Sequence, residues 1–431
     1  MKQTYPYIHI CILSLSLLAN SFGGETDNVV YTPPSDSASP SLTSSNPDAF
    51  EWLKISGDLR VRYESRDLDG LDPSNSITAR GRLGLTLGDF NGFSAFGEIE
   101  ATTALVDDFQ SNPAGQAGVA PFVPNNTVIS DPESVELNRA WIQYKGNGFL
   151  AKYGRQRIIR NDAFFVGNVG WRQNEQTFDA AQIGFSNDDF SLSYVYSYRA
   201  NRIFGNDARG ALGQFEGDFH FIDGSFNTSL GKIGAYAYLI DVDNNDAVGE
   251  SNTFGAFANL GPVYLEAAYQ DGSGNLADDI AGGDREDYDA FLIRGKYTLK
   301  TNVGAFSAGV DWMKDDFKTP FQTAHAPFGF ADAFILQQIG LNEANGFDGI
   351  FDGYIKYVKT GLPGGLTFKG DLHYFASEDF ATTYGYEVDA VLVKKFTPNL
   401  TGLIKAAYFL ADNSSDFRDI KQITADLSYK F

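Results

Sequence analysis

The stretch "WLKISGDLRVRYES" occupies residues 52–65. Leu53, Ile55, Leu59, Val61 and Tyr63 take alternate positions, and Lys54, Ser56, Asp58, Arg60, Arg62 and Glu64 take the positions between. Side chains of an extended strand point alternately to its two faces. This segment is therefore a strand with one apolar face and one charged face. The scheme returns in "SITARGRLGLTLG" (76–88), where Ile77, Ala79, Leu83, Leu85 and Leu87 oppose Thr78, Arg80, Arg82 and Thr86. It recurs in "FSLSYVYSYR" (190–199), in "LTFKGDLHYF" (366–375) and in the closing "ITADLSYKF" (423–431).

Extended along the chain, this periodicity predicts about eighteen strands, an even count within the range of bacterial outer-membrane barrels. The first runs near 52–64 and the last near 420–431. Every second connection is very short: "DFNG" (89–92), "KGNG" (145–148), "SNDD" (186–189), "NLGP" (259–262), "KTN" (300–302) and "TPN" (397–399). The connections between these are long and polar, at 105–134, 158–176, 200–216, 272–285 and 314–351. A soluble sandwich has no reason to sort its loops in this way. Short periplasmic turns and long extracellular loops are what a transmembrane barrel has. The expected fold is therefore all-β, a transmembrane antiparallel β-barrel in a bacterial outer membrane, with both termini at the periplasmic end. The last strand must pair with the first, because hydrocarbon leaves no water for an open edge.

Composition agrees. The 431 residues include 45 Gly, 36 Phe and 22 Tyr but 2 Met and 1 Cys, a balance suited to strands and tight turns. After the first 25 residues there is no apolar run of about 18 residues, so a transmembrane helix is not expected. A short basic and apolar start predicts a signal peptide over 1–23. Ser- and Pro-rich residues 24–49 read as a disordered leader, and 50–431 as the barrel. The single cysteine, Cys11, lies in the signal segment, so disulfides and thiol catalysis are not expected of the mature chain.

Charge orients the wall. Arg or Lys at the lipid midplane costs about 2–4 kcal/mol each, so the polar faces must line the lumen. By alternation and local basic excess, Arg60, Arg62, Arg80, Arg82, Arg139, Arg155 and Arg157 are candidate lumen residues. Asp58, Glu64, Glu98, Glu100, Asp371, Glu387 and Asp389 share that face. Two readings compete: the arginines pair with these acids to stiffen the wall, or they form a positive constriction for anions. A lumen this wide stays aqueous unless loops fill it. The formal net charge of −22 is carried largely by the expected outer loops.

Catalytic motifs are missing: no HExxH, GxSxG or P-loop occurs, and the four histidines (9, 220, 325 and 373) are scattered. Glu175 and Asp179 in "WRQNEQTFDA" have the residue types of a glycosidase acid pair, whose action depends on a separation that sequence does not give. "DVDNNDAVGESN" (241–252) resembles a calcium loop, but Asp246 replaces the required glycine and Asn252 the final glutamate. The expectation is a chain that is not an enzyme, with no cofactor and no metal.

"ISGDLRVRYESR" (55–66), "ELNRAWIQY" (136–144), "YGRQRI" (153–158) and "FVGNVGWRQNEQTFDAAQIGF" (165–185) together resemble the alginate-export family of outer-membrane barrels. The resemblance is strongest over residues 50–200. It implies a monomeric barrel of about eighteen strands with a basic pore conducting a polyanionic uronate. Arg60, Arg62, Arg139, Arg155, Arg157 and Arg172 lie in the matching motifs and are the transferred pore candidates. The expected function is passive passage of anionic carbohydrate, alginate or a related uronate, through an arginine-lined lumen. A general diffusion porin and a plugged structural or adhesive barrel are the alternatives. Expected partners are outer-membrane lipid and lipopolysaccharide, the anionic polysaccharide or oligosaccharide, and the barrel-insertion machinery through the terminal Phe431. No nucleic-acid partner is expected.

Overall fold

Arg60 and Arg62 are 3% and 0% exposed, while Leu59 and Val61 beside them are 51% and 46% exposed. That inversion, charge inside and leucine outside, runs around the whole wall. The computed structural model describes residues 52–274, 286–323, 325, 327–335 and 347–431. The signal-peptide and leader expectations, and the acidic stretch 275–285, lie outside these residues.

The wall runs β1 (Leu53–Leu68), β2 (Ser74–Phe90), β3 (Phe93–Asp108), β4 (Ser134–Gly146), β5 (Phe149–Gln156) and β6 (Thr177–Ser186). It continues with β7 (Phe190–Asn201), β8 (Gln214–Thr228), β9 (Gly231–Val242), β10 (Glu250–Leu260), β11 (Val263–Gly274) and β12 (Glu286–Thr301). The last third is β13 (Gly304–Met313), β14 (Ile350–Leu362), β15 (Leu366–Ala376), β16 (Thr383–Lys395), β17 (Leu400–Ala411) and β18 (Ile420–Lys430). All eighteen strands form one sheet, each pairing antiparallel with its sequence neighbours. β18 closes on β1, from Asp58 opposite Lys430 to Leu68 opposite Ile420. Phe431 exchanges two backbone hydrogen bonds with Gly57, at 2.9 and 3.0 Å, which seals the seam at the chain's last residue.

Short turns gather at one end. Asn91-Gly92 and Asn147-Gly148 all carry positive φ, as a two-residue hairpin with the twist of a strand pair requires. Aromatic rings ring this end: Phe93–Tyr144 centroids lie 4.9 Å apart, Phe149–Phe185 4.8 Å and Phe185–Phe190 5.4 Å. Nearer the long loops, Tyr269–Phe291 at 5.3 Å and Tyr374–Tyr386 at 5.4 Å begin a second girdle. Amphipathic rings at two heights, with exposed Leu83, Ile99, Ile142, Leu265 and Ile404 on the outer surface, are the imprint of a bilayer.

Two expectations change. β1 and β2 continue past the membrane to Leu68 and Ser74, leaving only residues 69–73 between them. In water above the lipid the ladder persists without demanding apolar alternation. The lumen is also not uniformly polar. Phe178 of β6, Phe215, Phe219 and Phe221 of β8 and Tyr238 of β9 face inward and pack on Phe164, Phe165 and Phe321 from two long connections. In "FEGDFHFID" apolar residues occupy both faces, so alternation alone underreports the inward ones. The connections 157–176 and 314–335 are stitched to each other inside the barrel. Gly167 N–H donates to the Phe321 carbonyl at 2.8 Å, and Thr323 N–H donates to that of Ala163 at 2.9 Å.

Candidate functional site: the arginine wall and its inserted loop

The register of β1 to β4 sets the site. Arg60 stands directly opposite Arg80, and Asp58 opposite Arg82. Arg82 faces Glu100, and Glu98 faces Arg139. A cation on β2 thus lies between acids on β1 and β3, and β3 in turn meets a cation on β4. Arg80 pairs with Asp58 at 2.7 Å, Arg139 reaches both Glu98 oxygens at 3.0 Å, and Arg82 donates to Glu100. From the closing strand, Asp426 accepts from Arg62 at 2.9 Å.

Across this wall lies the segment 170–175, "GWRQNE". Arg60 donates to the Gln173 side chain at 2.8 Å and to the Gly170 and Arg172 carbonyls. Arg80 reaches the Gln173 carbonyl at 3.1 Å, and Arg62 reaches that of Trp171. A guanidinium has five donors in a rigid fork, so after meeting one carboxylate it can still grip loop carbonyls. Arg172 sends its own guanidinium back to Glu64 of β1 at 3.0 and 3.1 Å. Asp131, from the connection 109–133, accepts from Gln173 N–H at 2.8 Å and pairs with Arg62 at 3.2 Å.

Glu175 is the hub. Its oxygens accept from Arg157 at 2.7 and 2.8 Å, and from Asn138 and Asn168 at 2.8 Å each. Arg82 stands 3.4 Å away and Arg139 3.9 Å. Burial disfavours its charge, but Arg157, then Arg82 and Arg139, hold the carboxyl well below the ordinary range. Asp131 is lowered likewise: burial opposes ionisation and Arg62 and Arg172 overcome it.

Beside the hub, Trp171 carries the Arg62 guanidinium 4.2 Å and the Lys405 ammonium 3.5 Å from its ring centroid. The His325 ring stacks between Trp171 at 4.4 Å and Phe330 at 5.0 Å. Asp332 holds its Nδ1 at 3.0 Å, and Lys405 contacts its Nε2. This stack clasps the two inserted connections together.

Of the eight arginines expected from sequence, Arg60, Arg62, Arg80, Arg82, Arg139 and Arg172 converge here, buried and engaged. Arg157 joins them through Glu175 and keeps 24% of its side chain exposed. Arg155 departs from the set. It shares the side of β5 that carries exposed Phe149 and Tyr153, the outward side, and pairs with Asp179 at 2.8 Å. The acids Glu175 and Asp179 are thus each locked in separate ion pairs. Sequence reasoning passed over Arg294, which bonds Asp162, Glu266 and Asp311 at 3.1, 2.8 and 3.3 Å. Its signal was present: exposed Phe291, Ile293 and Tyr297 bracket it on the other face.

Residues 51–197 match the alginate-export family model. That span holds the arginine wall, the hub and the inserted segment. No curated protein matches the chain. Among solved structures, Acinetobacter baumannii OccAB4 is similar with a TM-score of 0.62 and 13% identity, over 90% of this chain and 100% of that one. Pseudomonas aeruginosa OpdO is similar at 0.61 and 15%, over 88% and 97%. P. aeruginosa OpdG is similar at 0.61 and 14%, over 88% and 98%. At such identity these likenesses establish the fold. With the lipid belt, they make this an eighteen-stranded outer-membrane β-barrel.

Proposed function

We propose that the barrel is a loop-constricted channel for passive passage of an anionic carbohydrate, alginate or a shorter uronate. The observation that carries this reading is Arg157. It is a lumen-side guanidinium that anchors on Glu175 yet keeps a quarter of its surface open. The six buried arginines position the inserted segment, and the accessible cations meet the passing ligand. Lys356 on β14, Lys369 on β15 and Lys430 near the short-turn end are open to a similar degree. A carboxylate exchanging along such groups makes charge-assisted hydrogen bonds about twice as strong as neutral ones. The family match over 51–197 supports the uronate class.

Liposome permeation tests this. The native barrel is expected to pass glucuronate several-fold faster than glucose, and Arg157→Gln with Lys430→Gln to remove that preference. Equal passage of both sugars through the native barrel overturns the reading. The aromatic packing around Phe321 favours a second reading, a plugged structural barrel. Its signature is the lack of any single-channel current.

A further inference from the structure

Two strands before the closing seam, the pairing of β15 with β16 sets Asp371 across from Asp389 and His373 across from Glu387. One donor atom each of Asp371, His373 and Asp389 lies within 4.8 Å of the others. All three side chains are buried, His373 at 3% exposure. Each has at least one buried polar atom with no hydrogen-bond partner. His373 Nδ1 is held by Asp352 at 2.8 Å, and its Nε2 has no hydrogen-bond partner. Asp389 Oδ2 accepts from Phe330 N–H at 3.2 Å, and its Oδ1 has none. Neither Asp371 oxygen has a hydrogen bond, and Oδ2 forms ion pairs with Lys369 at 3.1 Å and Lys356 at 3.8 Å.

Unmet buried polar atoms cost about 1–3 kcal/mol each, so three converging in one place point to a ligand. We infer that Asp371, His373 and Asp389 bind a first-row divalent transition cation of the zinc class. The chemistry fits. An imidazole nitrogen with two carboxylate oxygens suits zinc and its neighbours, whereas calcium and magnesium take oxygen sets. Asp352 on Nδ1 is the carboxylate partner that a ligating histidine generally has, fixing the tautomer that leaves Nε2 free. Three protein ligands leave a fourth coordination position for water. Lys356 and Lys369 neutralise Asp371 until the cation arrives. Both are about a quarter exposed, so their ammonium groups can swing into the lumen as it binds. Phe330 N–H, from the inserted connection, links occupancy to the loop clasp. The site stands independently of the proposed substrate.

The test is equilibrium dialysis of the full-length barrel, folded in detergent, stripped with EDTA and desalted. About one Zn2+ per chain is expected, with Ca2+ binding at least tenfold more weakly. His373→Ala and the pair Asp371→Asn with Asp389→Asn are expected to abolish that equivalent. Asp352→Asn, which removes the carboxylate that holds His373 Nδ1, is expected to weaken it roughly 10–100-fold. Heat-dependent gel mobility identifies the folded barrels, and only those are compared. Unchanged zinc binding in folded His373→Ala, or displacement of zinc by equal calcium, overturns the inference in favour of the outer acidic loops.

Discussion

Glu175 shows what a single buried carboxylate does here. Removing one partner of a buried ion pair costs about 3–5 kcal/mol, because the other charge is left uncompensated. Glu175 serves Arg157 directly and Arg82 and Arg139 at longer range. Glu175→Gln should therefore lower stability by about 3 kcal/mol, read as an earlier loss of heat-resistant gel mobility. The pH dependence follows from its lowered folded pKa. Stability from this group is complete above the unfolded value of about 4.3 and drains away as pH falls below it. Native protein should thus lose thermal midpoint more steeply between pH 5 and 3 than Glu175→Gln does. Equal slopes would mean that the carboxylate is not charged in the folded barrel.

The inserted connections act as elements, and their clasp is aromatic. Phe321 lies 4.8 Å from Phe219, 5.4 Å from Phe178 and 6.0 Å from Phe215 by ring centroids. Phe321→Ala leaves a void where burial of a Phe is worth about 3–5 kcal/mol. The expected outcome is a higher and noisier single-channel conductance with the barrel still folded. His325 adds a pH term. Burial first, then the Lys405 ammonium, push it down to about 3, against the contrary pull of Asp332. The unfolded or unclasped ring takes a proton near 6.5, whereas the clasped ring resists, so acidification from pH 7 to 4 loosens the clasp. Asp332, itself held low by His325, Arg172 and Arg66 against burial, reinforces that direction at the acid end. Channel opening should rise over this range and be flatter in His325→Gln. The strands themselves were legible, because lipid and water impose a period of two on every wall residue. The clasp was not. Gln173 meets Arg60 across 113 positions and Gln176 meets Phe321 across 145, and no local pattern encodes such contacts. The same limit hid the Asp371–His373–Asp389 cluster, which needs the register of two strands. Arg155 was misplaced by a related cause: its motif matched, but its parity on β5 puts it outside.

At the scale of the whole barrel, one arrangement governs the rest: guanidinium groups, Arg155 apart, stay on the inside because the outside is hydrocarbon. A soluble protein would tolerate a charge at an exposed leucine with little effect. A barrel in lipid responds by depth, with a cost of about 2–4 kcal/mol for Arg at the midplane and about 0–1 near the interface. Two exposed leucines on adjacent strands provide the comparison. Leu83, 50% exposed, lies midway along β2, and Leu105, 63% exposed, lies near the long-loop end of β3 beside Asp107 and Asp108. The more exposed of the two is predicted to be the more tolerant. Leu83→Arg should lower folding stability in lipid vesicles by about 2–4 kcal/mol and Leu105→Arg by no more than about 1, measured by urea titration of tryptophan fluorescence. In small detergent micelles, which impose no fixed thickness, the two variants should draw closer together. Equal costs in vesicles would mean that the exposed leucines do not face a bilayer, and the inward placement of the arginines would then need another cause.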